Sequence, residues 1–152
     1  MSEPKDDPSG IPTGTRLFRR IDPVMIVYDS NRKEWRPTSQ NFQNSKDGTP
    51  MSVFAENVAI AHGEVPSDFV KGTWSGWYLA AVPVESMREH SQKVYLDPHN
   101  QDPDDSHPSH TAVDGPKDSQ KTRKKLAANY ELRLSPGLTQ TGSKICLALM
   151  PG

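Results

Sequence analysis

W-Y-L-A-A-V-P-V-E-S-M-R-E-H-S-Q-K-V-Y-L, residues 77–96, decides the fold class. Its first eight residues form the most apolar run in the chain. Aromatics and valines at that length read as a strand rather than a helix. Apolar residues on both faces mark the strand as central. Pro83 ends it, because proline brings no N–H to a ladder. Residues 85–90 then read as a short helix and residues 92–96 as a returning strand, making one compact unit.

Working back from this unit, L-F-R-R-I (17–21) and V-M-I-V-Y (24–28) have the β-branched and aromatic content of strands. Alternation along a strand puts Arg19 and Arg20 on opposite faces. If one face is buried, one of the two points inward, and a buried arginine needs a carboxylate or phosphate partner. Residues 29–34 read as a polar turn. In W-R-P-T-S-Q-N-F (35–42), Pro37 keeps Arg36 extended. Thr38 or Ser39 caps a helical turn there, with Trp35 and Phe42 as its anchors. M-S-V-F-A-E-N-V (51–58) opens as an alternating strand and turns helical through Ala55 and Val58. The expectation is a single α+β domain: a mainly antiparallel sheet of about five strands with two or three short helices. Residues 1–14 are expected to be a disordered arm, residues 15–134 the domain, and residues 135–152 a tail or closing strand built on I-C-L-A-L-M (145–150).

Working forward, residues 97–126 read D-P-H-N-Q-D-P-D-D-S-H-P-S-H-T-A-V-D-G-P-K-D-S-Q-K-T-R-K-K-L. An acidic, proline-rich loop carries His99, His107 and His110. A short strand at 111–113 follows, then a turn at Gly115-Pro116. A basic helix capped by Asp118 or Ser119 is expected to run to about residue 132, with Thr122, Leu126 and Tyr130 as its buried stripe.

The chain has 152 residues, 33% of them apolar, 14 prolines and a formal net charge of −1. That length suits one domain. The charge balance gives no global pull toward nucleic acid or membrane. The single cysteine, Cys146, excludes an internal disulfide framework or a cysteine zinc site. With no signal peptide and no apolar run near the ~20 residues of a membrane helix, the expected setting is cytoplasmic, away from membranes.

Three constellations carry chemistry. His107-x-x-His110, His99 and the neighbouring aspartates include metal-ligand types. Pro108 sits inside the spacing, however, and neither the metalloprotease helix nor the calcium loop is matched. The reading is no metal and no cofactor, with His99, His107 and His110 as the candidates if a metal were held. A phosphate site would use Arg19, Arg20, Arg36, Lys117, Lys121 and Lys124 as cations, with His107, His110 and Ser39 as candidate catalytic groups. Against this stands the plainer reading of salt bridges, capped turns and solvated cations. Finally, the basic 117–125 segment can meet nucleic-acid phosphates without sequence preference. Walker, Rossmann and nucleophile-elbow motifs are missing.

L-F-R-R-I, R-P-T-S-Q-N-F, M-S-V and H-P-S-H-T-A-V-D-G before K-T-R-K-K-L-A resemble a family of small bacterial proteins. These share an Arg-Arg-Ile start, an Arg-Pro-Ser-Ser-like block, a Met-Ser-Val block and a Pro-x-His-x-x-Val-x-Gly segment. The resemblance spans roughly residues 16–130. It draws attention to Arg19, Arg36, Ser39, Ser52, His110 and Lys121 and implies no particular activity. The functional expectation is a small bacterial accessory or binding protein, acting through a protein partner or within a larger complex, in a setting such as defence or conflict. The alternative is an enzyme or sensor of phosphate-containing ligands.

Overall fold

A computed structural model of the chain describes residues 6–44, 48–98 and 107–134. These residues form eight strands and three short helices. The strands are β1 (Arg16–Ile21), β2 (Ile26–Asp29), β3 (Glu34–Pro37), β4 (Met51–Ala55), β5 (Tyr78–Pro83), β6 (Lys93–Leu96), β7 (His110–Asp114) and β8 (Glu131–Leu134). The helices are α1 (Glu56–Ala61), α2 (Val84–Arg88) and α3 (Gln120–Leu126). Six strands form one antiparallel sheet in the order β6-β7-β4-β1-β5-β8. Strands β2 and β3 pair only with each other, as a separate hairpin. The α+β class holds, with one more strand in the main sheet than expected.

Alternation along the strands makes two apolar layers. On one face Leu17, Val53, Val82 and Val113 pack with Met87 of α2 and Leu126 of α3. On the other face Phe18, Phe54 and Leu79 pack with Ala59 of α1 and with Phe69, from the 3-10 turn Pro66–Val70. As the sequence predicts, β5 is an inner strand, between β1 and β8. Its Pro83 pairs with Arg16 at the end of the ladder and then serves as the N-cap of α2.

Three expectations need correction. Residues 6–14 are not a loose arm. Asp7 N–H donates to Val94 O at 2.9 Å, Asp6 pairs with Arg88 at 2.8 Å, and Ile11 is fully buried in the core. One well-placed isoleucine and two edge contacts outweigh the polar composition of the segment. The basic helix stops at Leu126 instead of running to about residue 132. Residues 131–134, E-L-R-L, alternate with period two, and pairing with the open edge of β5 satisfies their backbone groups. Tyr130 and Leu126 do reach the core region, but Thr122 is not part of it. Val24 and Met25, read as strand, belong to a 3-10 turn (Pro23–Met25) held by Asp22 Oδ1, which accepts from Val24 N–H at 3.1 Å.

Ile11→Ala should lower the unfolding free energy by about 2–5 kcal/mol, as for other buried large-to-small changes. Urea denaturation checks this. A change below about 0.5 kcal/mol, the scale of a surface substitution, would mean that the segment does not dock.

Candidate functional site

The ladder between β1 and β4 contains only two residue pairs, Leu17↔Ala55 and Phe18↔Phe54. Beyond them Arg19 takes over the contact between the two segments. Its Nη1 donates to Ser52 O at 2.7 Å and its Nε to Asn41 O at 3.2 Å. Asn41 is itself pinned, its amide donating to Met25 O and Thr38 O, both at 3.1 Å. Arg19 therefore ties β1, β4 and the hairpin together. One arginine of the pair does point to the core face, but these two N–H groups go to carbonyl oxygens rather than to the carboxylate or phosphate expected.

Arg20 lies on the opposite face. Its guanidinium carbon is 4.6 Å from the centroid of the Phe54 ring and 4.3 Å from that of Trp74, and its Nε donates to Phe69 O at 2.6 Å. Trp74 meets Trp77 edge-to-face, with centroids 4.8 Å apart. Trp74 is delivered by the 3-10 turn Gly72–Trp74, where Gly72 adopts φ 57°. That angle favours glycine. Arg19, Arg20, Ser52, Phe54, Trp74 and Trp77 enclose a pocket of about 230 Å³. Its described lining includes two guanidinium groups and three aromatic rings, with no carboxylate. Arginine keeps its charge at any working pH.

A second cleft, of about 210 Å³, opens between the β2–β3 hairpin and α3. Arg36 and Ser39 are here, with Lys124 of α3, with Arg32, and with Tyr130, which the sequence places in a buried helix stripe rather than at a site. Asp29 also lines the cleft. It holds Arg36 Nε at 3.1 Å. N–H groups of Arg32 and Asn31, then Arg36, keep its carboxyl below the usual carboxylate range. Tyr130 donates to Trp35 O at 3.0 Å, and burial followed by Glu34 raises its phenol well above normal.

The sequence-predicted residues thus split into two groups. Arg19 and Arg20 share the aromatic pocket. Arg36, Ser39 and Lys124 share the cleft. Lys121 is exposed on α3 and lines neither. Lys117 is a structural group rather than a ligand cation. It is 3% exposed, and its amine donates to Asn44 Oδ1 at 2.6 Å, Val113 O at 2.7 Å and Gly115 O at 3.1 Å.

Two of the candidate histidines, His107 and His110, are engaged. His110, expected on a loop, opens β7. It is 1% exposed and donates from Nδ1 to Asp97 O at 2.7 Å, beside Phe54. His107 stands between Ser109 and Glu64. Ser109 N–H donates to its Nδ1 at 3.0 Å, Ser109 Oγ lies 2.6 Å from the same nitrogen, and Glu64 Oε1 lies 3.2 Å from Nε2. This serine–histidine–glutamate row has the order of a nucleophile, base and orienting acid. Ser109 is 0% exposed, however, and its carbonyl accepts from Ala55 N–H and Thr111 Oγ1. The row closes a turn. Among the described residues, no group of three or more His, Cys, Asp or Glu could hold a metal ion. His99, Asp102, Asp104, Asp105 and Cys146 lie outside the described residues. No helix among the described residues is long and apolar enough to cross a membrane.

Comparison with known proteins finds no matching family model, curated protein or solved structure.

Burial lowers the Lys117 amine to about 8, Asp114 opposing the shift and Arg19 adding to it. In the unfolded chain a lysine keeps its proton to about pH 10.4. Between these values the unfolded state holds more protons, so stability rises with pH there. The unfolding free energy of the parent protein, measured relative to Lys117→Met, should therefore climb between pH 8 and about pH 10.4. A flat difference would refute the shift.

Proposed function

We propose that the protein is a small binding or sensing module for a flat anionic ligand of nucleotide type, taken up in the arginine–tryptophan pocket. The observation that carries this reading is the placement of Arg20 between the rings of Phe54 and Trp74, beside Trp77 and Arg19. A guanidinium held by two ring faces keeps its orientation. Cation–π contacts of this kind contribute about 0.5–2 kcal/mol each. Aromatic rings accept a base by stacking, at about 1–3 kcal/mol per base. Permanent positive charge beside them favours phosphate. Arg19 and Ser52 of the pocket are also two of the positions singled out by the family resemblance.

Binding is favoured over catalysis by the positions of the proton-transfer candidates. His110 is covered and engaged with Asp97, His107 is engaged with Ser109 and Glu64, and Ser39 lines the other cleft. The accessory role through a protein partner rests on the missing catalytic motifs, the near-neutral charge, an expected free arm and the apolar segment 145–150; the arm is docked at Asp7 and Ile11, and 145–150 lies outside the described residues.

Tryptophan fluorescence tests the reading, with Trp35→Phe as background so that the signal comes from Trp74 and Trp77. Adenosine and uridine monophosphates should each change it saturably, and inorganic phosphate should do so less. Trp74→Leu should weaken nucleotide binding by about 1–3 kcal/mol, roughly 5- to 150-fold. No spectral change with any nucleotide up to millimolar concentration, in a protein that unfolds cooperatively, would overturn it.

A further inference from the structure

The polar lining of the arginine–tryptophan pocket is one-sided. Arg19 and Arg20 bring guanidinium groups, Trp74 and Trp77 bring indole N–H groups, and Ser52 brings a hydroxyl. A guanidinium donates hydrogen bonds and accepts none, whatever else it touches. An indole likewise only donates. Two backbone carbonyls beside the arginines each already receive an N–H: Ser52 O from Arg19 Nη1 at 2.7 Å, and Phe69 O from Arg20 Nε at 2.6 Å. Among the described lining side chains, the Ser52 hydroxyl is the one hydrogen-bond acceptor.

This inventory sorts bases by the edge they present. Ring nitrogens and carbonyl oxygens that accept find donors in the lining. An exocyclic amine gives up its hydrogen bonds to water and meets other donors, which weakens binding. The contrast is sharpest between the two purines, which have the same stacking area. The guanine edge at O6 and N7 carries two acceptors, whereas the matching adenine edge carries one acceptor, N7, and one donor, the N6 amine. A guanidinium fork pairs with both atoms of the first edge and with only one of the second. Guanine has an amine of its own, at N2, but on the minor-groove side, away from O6 and N7.

We infer that the arginine–tryptophan pocket prefers guanine, and reads its O6–N7 edge with a lining made of donors. This rests on the nucleotide reading of the pocket and adds a base preference to it. Stacking on an aromatic side chain is open to every base, so it supplies affinity without choice. The choice lies in the edge. Arg20 makes it, because its guanidinium carbon sits 4.6 Å from the Phe54 centroid and 4.3 Å from the Trp74 centroid. A fork already held between two rings gives up little side-chain freedom when the base arrives.

Titration of the Trp35→Phe protein with guanosine, inosine and adenosine monophosphates, followed by tryptophan fluorescence, tests this. All three share the purine ring and the phosphate. Inosine keeps O6 and N7 and lacks the N2 amine. Guanosine and inosine monophosphates should bind about equally, and each at least about 5-fold more tightly than adenosine monophosphate, the lower end for one unpaired donor. Adding Arg20→Gln places an acceptor in the lining, and a glutamine amide pairs with the adenine edge. The ratio of guanosine to adenosine affinity should then fall toward one, with a thermal melt to show that the variant is folded. Equal affinity for guanosine and adenosine monophosphates in the titrated protein would overturn the guanine assignment and leave the nucleotide reading standing. Inosine monophosphate binding as weakly as the adenosine compound would also overturn it, because the N2 amine would then be the group recognised. An unchanged ratio in folded Arg20→Gln protein would overturn the choice by Arg20. No response to any of the three would remove the nucleotide reading and this inference together.

Discussion

The guanidinium of Arg19 is the contact on which the arrangement of the molecule depends. Two residue pairs are a short ladder for neighbouring strands in the middle of a six-stranded sheet. Where β1 and β4 stop pairing, the carbonyls of Ser52 and Asn41 receive N–H groups from one side chain. Half-buried carbonyls left without donors would cost about 1–3 kcal/mol each. Arginine reaches both because its donors are spread over a planar fork. Lysine, with one nitrogen, could not match that geometry.

From this contact the rest follows in order. Asn41, fixed by Arg19 on one side, fixes Met25 and Thr38 on the other, and so places the hairpin beside α3. Phe42, fully buried next to it, anchors the same turn in the core. The cleft exists because the hairpin is held there and does not join the sheet. The aromatic pocket exists because the strands separate at the level of Ser52, leaving room that Phe54, Trp74 and Trp77 surround.

Much of the fold was legible in the sequence because period-two patterns are local. Residues 77–84, 51–55 and 17–21 announce strands by composition alone. What misled was competition between local signals and distant partners. The basic run after residue 119 has good helix formers, yet E-L-R-L is taken by an open sheet edge some 50 residues away in sequence. Residues 6–14 look dispensable because their contacts, to Val94 and Arg88, are likewise distant. The candidate site was half visible. The arginine pair and the arginine–proline block each line a recess. That they line two separate recesses, and that Trp74 and Trp77 belong to one of them, depends on strand register. Aromatics next to an apolar run carry no sign of which will be core. Lys117 was misjudged for the same reason: a lysine at a turn looks solvated until Asn44 is known to lie opposite it.

The brief β1–β4 ladder also gives the sheet a mechanical character. It divides into two three-stranded leaves, β6-β7-β4 and β1-β5-β8, joined by two rungs and a side-chain strut. Both apolar layers also pack across this seam, Leu17 with Val53 and Phe18 with Phe54. The aromatic recess straddles it, with Ser52 and Phe54 on one leaf and Arg19 and Arg20 on the other. Anything that fills the recess would touch both leaves across this joint.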